Sequence, residues 1–238
     1  MLYIIGLGMD LNSITQEGLE AIKNSDKIYL ESYTVDFPYS REELEEKLDT
    51  EIHDADRNIV ESTEIPREAQ DQNVALLVYG SPLAATTHIS LIEECQNLSV
   101  SYEVIHNASI IDAIAETGLQ LYKFGKTASM PKWKTSYKPE SFIEIAKQNS
   151  QINAHTLILC DIGMPFHEAA EQLKESSKNH EFQIDSIIAC QSLGTQNSKI
   201  AYGNPQSLKE TEIQNPFCII LPAELHKTEK EFLENFSI

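Results

Sequence analysis

The sequence predicts an α/β protein of two domains, each with a mostly parallel or mixed sheet covered by helices. Apolar runs of strand length recur along the chain, separated by stretches with helical spacing. In the first half they alternate as β-α-β-α-α-β-α-β-α, the pattern of a mostly parallel sheet. A segment rich in proline and lysine then interrupts this order before it restarts. We therefore predict an N-terminal domain at residues 1–131 and a C-terminal domain at 132–238.

The first half contains five predicted strands and the helices between them. The strands are expected at residues 2–5, 27–31, 51–53 (a short edge strand), 74–79 and 100–106. Helices are expected at 15–25, 40–48, 64–72 and 86–97, and from 109 until Gly118 ends the helix in a left-handed conformation. Ser40 with Glu43 forms a capping-box pattern, and Thr86 or Thr87 is the expected cap of the fourth helix.

The second half contains four predicted strands. They are expected at 155–160, 186–191, 199–202 (pairing antiparallel with the strand before it) and 217–221. Three helices are expected, at 139–148, 165–177 and 226–236.

The composition argues against a nucleic-acid-binding protein. The 238 residues include 18 basic and 37 acidic side chains, which gives a formal net charge of −19. Such a surface repels phosphate backbones and is typical of a soluble acidic protein, although it also suits a basic partner or a cationic substrate. No leader peptide or membrane-spanning run is recognisable, so a cytoplasmic location is expected.

The four cysteines are expected to be buried free thiols. Cys95, Cys160, Cys190 and Cys218 lie far apart in sequence, and three of them fall in strand-like runs. The seven histidines show no HxxxH or HExxH spacing, so no metal site is predicted.

A locally basic stretch stands out in this acidic chain. It contains five lysines, at Lys123, Lys126, Lys132, Lys134 and Lys138. A solvated linker explains them, and a site for a carboxylate or for an RNA-bearing partner is the alternative.

Two glycine-containing loops follow predicted strands and are candidates for a ligand site. Gly6 and Gly8 come directly after the first strand, but the third glycine of GxGxxG is missing, so the dinucleotide fingerprint is weak. Residues Gly80 to His88 follow the strand at 74–79 and lie where open α/β sheets bind ligands.

The titratable residues do not single out a catalytic group. Asp161 follows a strand and could accept a proton or simply cap a loop, while His106 and His155 could be general bases or structural histidines. Ser109 is explained by helix capping. No nucleophile elbow or catalytic triad is present.

Several motifs nevertheless resemble one known family along nearly the whole chain. They are IGLG at 5–8, TQEGLEAI at 15–22, YLESYT at 29–34, GSPLAATTH at 80–88, VIHNASIIDAIAETGLQLYKFG at 104–125, SYKPES at 136–141 and HTLILCDI at 155–162. They resemble the diphthine synthases of archaeal type, in the tetrapyrrole-methylase-like class of S-adenosylmethionine methyltransferases. The run at 104–125 is the most specific of them.

The resemblance implies a fold, an activity and partners. It implies two α/β domains that form a cofactor cleft, usually in a homodimer. It implies methyl transfer from S-adenosylmethionine, which leaves S-adenosylhomocysteine, to the amino group of the 3-amino-3-carboxypropyl histidine of translation elongation factor 2. The product is diphthine, an intermediate of diphthamide biosynthesis.

The resemblance also implies a set of cofactor contacts, most of them backbone groups or apolar walls. They fall at Met9, Ser81, Ala84, Ser109, Ile110, Cys160, Leu193 and Phe217.

Ser81 departs from the family pattern, which reads Gly-Asp-Pro at this point. Loss of a charge-assisted hydrogen bond costs on the order of 1.5–3 kcal/mol, so cofactor binding could weaken about tenfold or more. A weakened homologue that binds the cofactor or elongation factor 2 without efficient turnover is therefore the alternative function. A methyltransferase acting on a small tetrapyrrole is a third hypothesis, which the run at 104–125 disfavours.

Overall fold

The computed structural model describes residues 1–238 and divides the chain into two compact units, 1–111 and 112–238. Each unit is built around one five-stranded sheet. The predicted α/β fold with two sheets is confirmed. None of its helices combines the length and apolar character of a membrane-spanning segment.

The first sheet is entirely parallel, with the strand order β3-β2-β4-β1-β5. Its strands are β1 (Leu2–Gly6), β2 (Lys27–Glu31), β3 (His53–Ala55), β4 (Val74–Val78) and β5 (Tyr102–Ile105). Ile4 lies opposite Leu76 of β4 and Val104 of β5. Because all five strands run the same way, their carboxyl ends share one edge of the sheet.

Helices cover both faces of this sheet. They are α1 (Gln16–Lys23), α2 (Arg41–Leu48), α3 (Arg57–Val60), α4 (Glu64–Glu68) and α5 (Ile89–Asn97); a short helix after β5, α6 (Ile110–Ala113), buries none of its residues. Successive strand residues point to opposite faces, so Ile4 and Leu76 join one apolar core while Ile5 and Leu77 join the other.

The second sheet is mixed, with the strand order β6-β7-β10-β8-β9. Its strands are β6 (Ala128–Met130), β7 (Thr156–Cys160), β8 (Ile187–Gln191), β9 (Lys199–Gly203) and β10 (Phe217–Leu221). The central strand β10 is antiparallel to both β7 and β8, and the predicted antiparallel pairing of β9 with β8 is confirmed.

The helices of the second unit are α7 (Ser141–Gln151), α8 (Phe166–Asn179), α9 (Pro205–Leu208) and α10 (Lys227–Leu233). Short 3₁₀ turns lie at Ile114–Thr117, Leu121–Lys123 and Glu234–Phe236. Phe142, Phe166 and Ile219 belong to a single buried core in this unit.

Several predicted helix caps are confirmed. Ser40 and Glu43 form the expected capping box of α2, and Thr15 caps α1 by accepting a hydrogen bond from the Gly18 amide at 3.0 Å. Gly118 ends its 3₁₀ turn with a φ of 78°.

The predicted cap of α5 is wrong. Neither Thr86 nor Thr87 caps this helix, which begins after His88 with no side-chain hydrogen bond at its N-cap. The N-cap position falls on His88, so Thr87 lies one residue before it and offers its backbone carbonyl, which accepts from the Ser90 amide at 3.1 Å, while the Thr86 hydroxyl has no hydrogen-bond partner.

The division of the chain at residues 111 and 112 differs from the boundary predicted at 131 and 132. The prediction followed the proline and lysine content of the interrupting segment. The structure instead contains a short strand there, β6, which pairs with β7 and so belongs to the second sheet. At three residues, β6 is too short to show a periodic pattern in the sequence.

Candidate functional site

The loop after β1 is held by the side chain of Asn107. Its amide nitrogen donates to the carbonyl oxygens of Gly6 at 3.1 Å and Ser13 at 2.9 Å, and its oxygen accepts from the Ala108 amide at 2.8 Å. One side chain from the segment after β5 therefore fixes the backbone that follows β1.

The two glycine loops meet through their backbones. Gly8 and Gly80 exchange two hydrogen bonds, of 3.1 and 2.9 Å, and both have positive φ angles, 74° and 71°. A Cβ atom on Gly6 would lie 2.6 Å from the Gly80 carbonyl oxygen. Glycine is needed here because the two chains approach too closely for a side chain.

The 80–88 loop folds back on itself. The Ala84 amide donates to the Ser81 carbonyl at 3.1 Å, and the Nδ1 atom of His88 lies 3.0 Å from the Pro82 carbonyl oxygen. A carbonyl oxygen only accepts, so Nδ1 carries the hydrogen in this contact. Ala85 has a φ of 55°, an unusual conformation for a residue with a Cβ atom.

Five residues implied as cofactor contacts lie at one edge of the first sheet. Met9, Ser81 and Ala84, and Ser109 with Ile110, follow the adjacent strands β1, β4 and β5. Met9 and Ser109 are buried, the other three are half-buried, and the Met9 carbonyl accepts from the Tyr79 hydroxyl at 2.9 Å. The Ser109 hydroxyl accepts from the Ile111 amide at 3.2 Å, as expected of a cap.

The other three implied contacts lie at one edge of the second sheet. Cys160 ends β7, Leu193 follows β8 and Phe217 begins β10. Because β10 is antiparallel to its two neighbours, its first residue lies beside their last ones. The sheet topology therefore brings together residues that are far apart in sequence.

The loop that contains Leu193 is fixed by an acidic side chain. Glu116 accepts hydrogen bonds from the Gly194 amide and the Ser198 hydroxyl, both at 2.8 Å. Ser192 donates its amide to the Pro216 carbonyl at 2.9 Å, which ties the loop to the segment before β10.

His155 is a structural histidine. It is fully buried, its Nδ1 accepts from the Ala223 amide at 2.9 Å, and its Nε2 lies 3.3 Å from Glu229. Nδ1 accepts and therefore carries no hydrogen, so Nε2 donates to the carboxylate from a neutral ring. Burial lowers the pKa of His155, although Glu229 opposes this.

Glu229 is the centre of a buried network. Lys123 donates to it at 2.6 Å, and the amides of Gln120 and His226 donate at 3.0 and 2.7 Å. Burial by itself raises the pKa of this carboxyl, but the hydrogen bonds from Lys123 and the two amides bring the pKa down to about 2. The network joins a 3₁₀ turn, the residue just before β7 and the start of α10.

The other two acid–base candidates differ in their contacts. Asp161 is exposed and accepts from the Lys132 amide at 3.0 Å, which is the loop-capping role considered for it. His106 is exposed at the end of β5. Nothing in these contacts activates either group as a base.

Four of the five lysines in the basic stretch bind other residues of the chain. Lys123, Lys132 and Lys138 form ion pairs with glutamates, and Lys126 donates to Gln148 at 3.2 Å. Lys138 also lies 4.5 Å from the ring centre of Trp133. These contacts favour a structural segment over a site for an acidic partner.

In each unit, taken by itself, the residues at the sheet edge suit a nucleoside or a thioether better than a phosphate. Their side chains are apolar or hydroxyl-bearing, and the nearby polar groups belong mainly to backbone. The chain has no group of three or more His, Cys, Asp or Glu side chains arranged to hold a metal ion.

Three residues that shape these loops were not predicted from the sequence: Asn107, Glu116 and Glu229. Each forms a hydrogen bond with a segment that is distant in the chain. The partners are 101 residues away for Asn107, 78 for Glu116 and 109 for Glu229. The motif around Asn107 was noted, but only the fold reveals which backbone groups it binds.

Comparison with known protein families identifies the class of protein that has this fold and these glycine loops. The family model of Tetrapyrrole (Corrin/Porphyrin) Methylases matches residues 1–209, and the chain belongs to this family.

Full-length relatives place the chain among the diphthine synthases, as the resemblance implied. Diphthine methyl ester synthase of Schizosaccharomyces pombe is 37% identical over 268 residues, covering all of this chain and 95% of the relative. The human protein of the same name is 35% identical over 272 residues, with the same coverage. A crystal structure of diphthine synthase has a TM-score of 0.91 and 30% identity, covering 99% of this chain and 95% of that one.

Proposed function

We propose that the protein is an S-adenosylmethionine-dependent methyltransferase that modifies the 3-amino-3-carboxypropyl histidine of translation elongation factor 2, in diphthamide biosynthesis. The observation that carries this proposal is the full-length similarity to proteins named diphthine methyl ester synthase. Methylation of the amino group gives diphthine.

The name of these relatives indicates a second methyl acceptor, a carboxylate oxygen. A methyl ester forms when a carboxylate oxygen receives a methyl group, so the relatives' product carries a methyl group on oxygen as well. We extend the proposal accordingly: this chain methylates the amino group and then the carboxylate of the same side chain.

We propose that the eight implied residues contact the cofactor. Met9, Ser81, Ala84, Ser109 and Ile110 would do so in the first unit, and Cys160, Leu193 and Phe217 in the second. When bound, S-adenosylmethionine supplies a methyl group on a sulfonium, which is a good leaving group, and S-adenosylhomocysteine remains.

The chain's own contribution is mainly positioning. Holding two reactants in line lowers the barrier without any strong acid or base. The Gly8–Gly80 backbone contact and the Asn107 hydrogen bonds keep the loops after β1 and β4 in one arrangement. Such rigid loops suit a reaction that depends on alignment.

The proposal also covers the protein partner, the cellular location and the oligomeric state. Elongation factor 2 is the protein partner, and its site of action places the enzyme in the cytoplasm. We also propose a homodimer, with neither a membrane nor a nucleic acid as a partner. The net charge of −19 supports the last point.

The proposal is tested with elongation factor 2 that carries the unmethylated 3-amino-3-carboxypropyl histidine. The protein and S-adenosylmethionine should add methyl groups that mass spectrometry detects on that residue, one of them removable by mild alkali as an ester. Without the 3-amino-3-carboxypropyl group no methyl should be added. If saturating cofactor gives no heat in calorimetry and no thermal stabilisation, the proposal is wrong.

The alternative is a homologue with weakened turnover, and Ser81 is the observation that favours it. In that case Ser81→Asp should restore activity. Equal turnover before and after the substitution would exclude the alternative.

A further inference from the structure

Buried polar atoms without a hydrogen-bond partner are concentrated next to the proposed cofactor loop. Five such side-chain atoms occur in the chain, and four lie on the loops that follow β2 and β4: Tyr33 Oη, Tyr39 Oη, Thr86 Oγ1 and His88 Nε2. Unpaired buried groups are rare in folded proteins and call for an explanation. These two strands are neighbours, and ligands bind at the carboxyl ends of such strands.

His88 is the most informative of these residues. Its side chain is 1% exposed and Nδ1–H donates to the Pro82 carbonyl, while Nε2 has no hydrogen-bond partner. His155 is equally buried, yet both of its ring nitrogens are hydrogen-bonded. Burial of a histidine in this chain therefore does not by itself leave a nitrogen unpaired.

Glu31, at the end of β2, is a second unusual group nearby. It is fully buried and forms no ion pair, whereas the equally buried Glu229 is paired with Lys123. One oxygen accepts from the Thr34 hydroxyl at 2.8 Å and the other from the Tyr33 amide at 3.4 Å. Burial raises the pKa of Glu31, while Thr34 and then the neighbouring His88 oppose the rise.

Glu31, Tyr33, Thr86 and His88, together called the cluster, lie directly beneath the surface. Exposed residues alternate with its members along both loops: Ser32 and Thr34 on one, Thr87 on the other. Ala85, just before Thr86, has the left-handed conformation already noted. Backbone strain of this kind is often found where a loop handles a ligand.

We propose that Glu31, Tyr33, Thr86 and His88 form the subsite that receives the nitrogen-bearing side chain of the protein substrate. The inference rests on the proposed function. The carboxylate accepts from N–H donors, and Nε2 and the two hydroxyls can each donate or accept. A buried carboxylate that forms no ion pair is complemented by a positively charged ligand, which an imidazolium or ammonium group supplies.

The test separates binding of the protein substrate from binding of the cofactor. Glu31→Gln keeps the shape and removes the charge. His88→Asn keeps a donor for the Pro82 carbonyl, since the amide nitrogen takes the place of Nδ1, and removes Nε2. Each should lower kcat/KM for elongation factor 2 with the 3-amino-3-carboxypropyl histidine by roughly ten- to a hundredfold. The dissociation constant of S-adenosylmethionine should change less than about twofold.

Two matched variants on exposed positions of the same unit are the controls. Glu42→Gln on α2 and His53→Asn on β3 make the same chemical changes and should leave kcat/KM unchanged. Unchanged kcat/KM in both cluster variants overturns the inference. So does a parallel loss of cofactor affinity, because the cluster would then support the cofactor loop alone.

The outcome is also distinguishable from failure of the proposed function. If the wild-type protein does not methylate the modified elongation factor, the proposed function fails. Direct binding of that factor to the wild-type protein and the two variants then decides: weaker binding by the variants supports the subsite, and equal binding overturns it.

Discussion

At the scale of single residues, Asn107 shows how a short polar side chain can organise a binding loop. It bonds two carbonyl groups, of Gly6 and Ser13, and the Ala108 amide. A buried group left unpaired costs about 1–3 kcal/mol, so the loss of this side chain affects several groups at once.

Asn107→Ala should therefore lower the free energy of unfolding by about 2 kcal/mol or more. Urea unfolding followed by circular dichroism measures this. Asn97→Ala, at the exposed end of α5, is the matched control and should change it by less than about 0.5 kcal/mol. A similar loss in both variants would contradict the role given to Asn107.

Ser81 is the second residue that invites a test. If its hydroxyl binds the cofactor less well than a carboxylate would, Ser81→Asp should tighten S-adenosylmethionine binding about tenfold. Calorimetry measures the change, with Ser90→Asp on the exposed side of α5 as the control. Equal or weaker binding would mean that serine already suits this position.

At the scale of elements, one loop of the second unit is held by an acidic side chain, Glu116. Glu116 is exposed, so its removal should have little effect on stability. It nevertheless fixes the 192–198 loop, which contains Leu193, through two hydrogen bonds.

Glu116→Ala should raise KM for S-adenosylmethionine about three- to tenfold and leave the unfolding free energy within about 1 kcal/mol of the wild-type value. Steady-state kinetics and urea unfolding report the two effects. Glu144→Ala, on the exposed side of α7, should change neither. A large loss of stability without a change in KM would show that Glu116 serves the fold only.

The Glu229 network at the start of α10 makes stability depend on pH. Glu229 has a folded pKa of about 2 against an ordinary 4.5, so it stabilises the fold above pH 4.5 and this contribution is lost as the pH falls toward 2. The pKa of His155 is lowered from 6.5, so protonation in the unfolded state begins to destabilise the fold below that pH.

The urea midpoint should therefore fall as the pH drops below about 6.5, and more steeply below 4.5. Glu229→Gln should flatten the steeper part of the curve. An unchanged pH profile in this variant would assign the acid sensitivity to other carboxylates.

Much of the fold was predictable because apolar runs and capping residues are local signals. Thr15 and Ser40 are N-cap residues that indicate where their helices begin. The central strands β1, β4 and β10 are mainly apolar runs. β6, α3 and α9 were missed because elements of three or four residues carry no periodic pattern.

The candidate site was predictable only in part. Its glycines and strand ends could be recognised, since a loop after a parallel strand is a local feature. The sequence does not show that Glu31 and His88 lie near each other. The whole sheet sets the strand order that makes β2 and β4 neighbours and so brings the two residues together.

At the scale of the whole molecule, the position of the division between the units can be tested by truncation. A chain of residues 112–238 retains β6 and Lys123, while a chain of 132–238, the predicted domain, loses both. Without residues 120 and 123, the buried Glu229 loses its ion-pair partner Lys123 and the hydrogen bond from the Gln120 amide, which is strongly destabilising.

We therefore expect residues 112–238 to give a cooperatively unfolding protein, and residues 132–238 to be unfolded or aggregated. Far-UV circular dichroism and thermal denaturation distinguish the two. If 132–238 folds as stably as 112–238, the segment before residue 132 does not belong to the second unit.

The cysteines offer a practical opportunity for following these loops in solution. Cys95, Cys190 and Cys218 are buried, and burial raises the pKa of Cys160 well above that of a free thiol. All four are therefore expected to react slowly with maleimides at neutral pH. A single cysteine introduced at the exposed Thr87 would take up a fluorophore selectively, and its emission would report each arrival of a ligand at the 80–88 loop without any change to the native thiols.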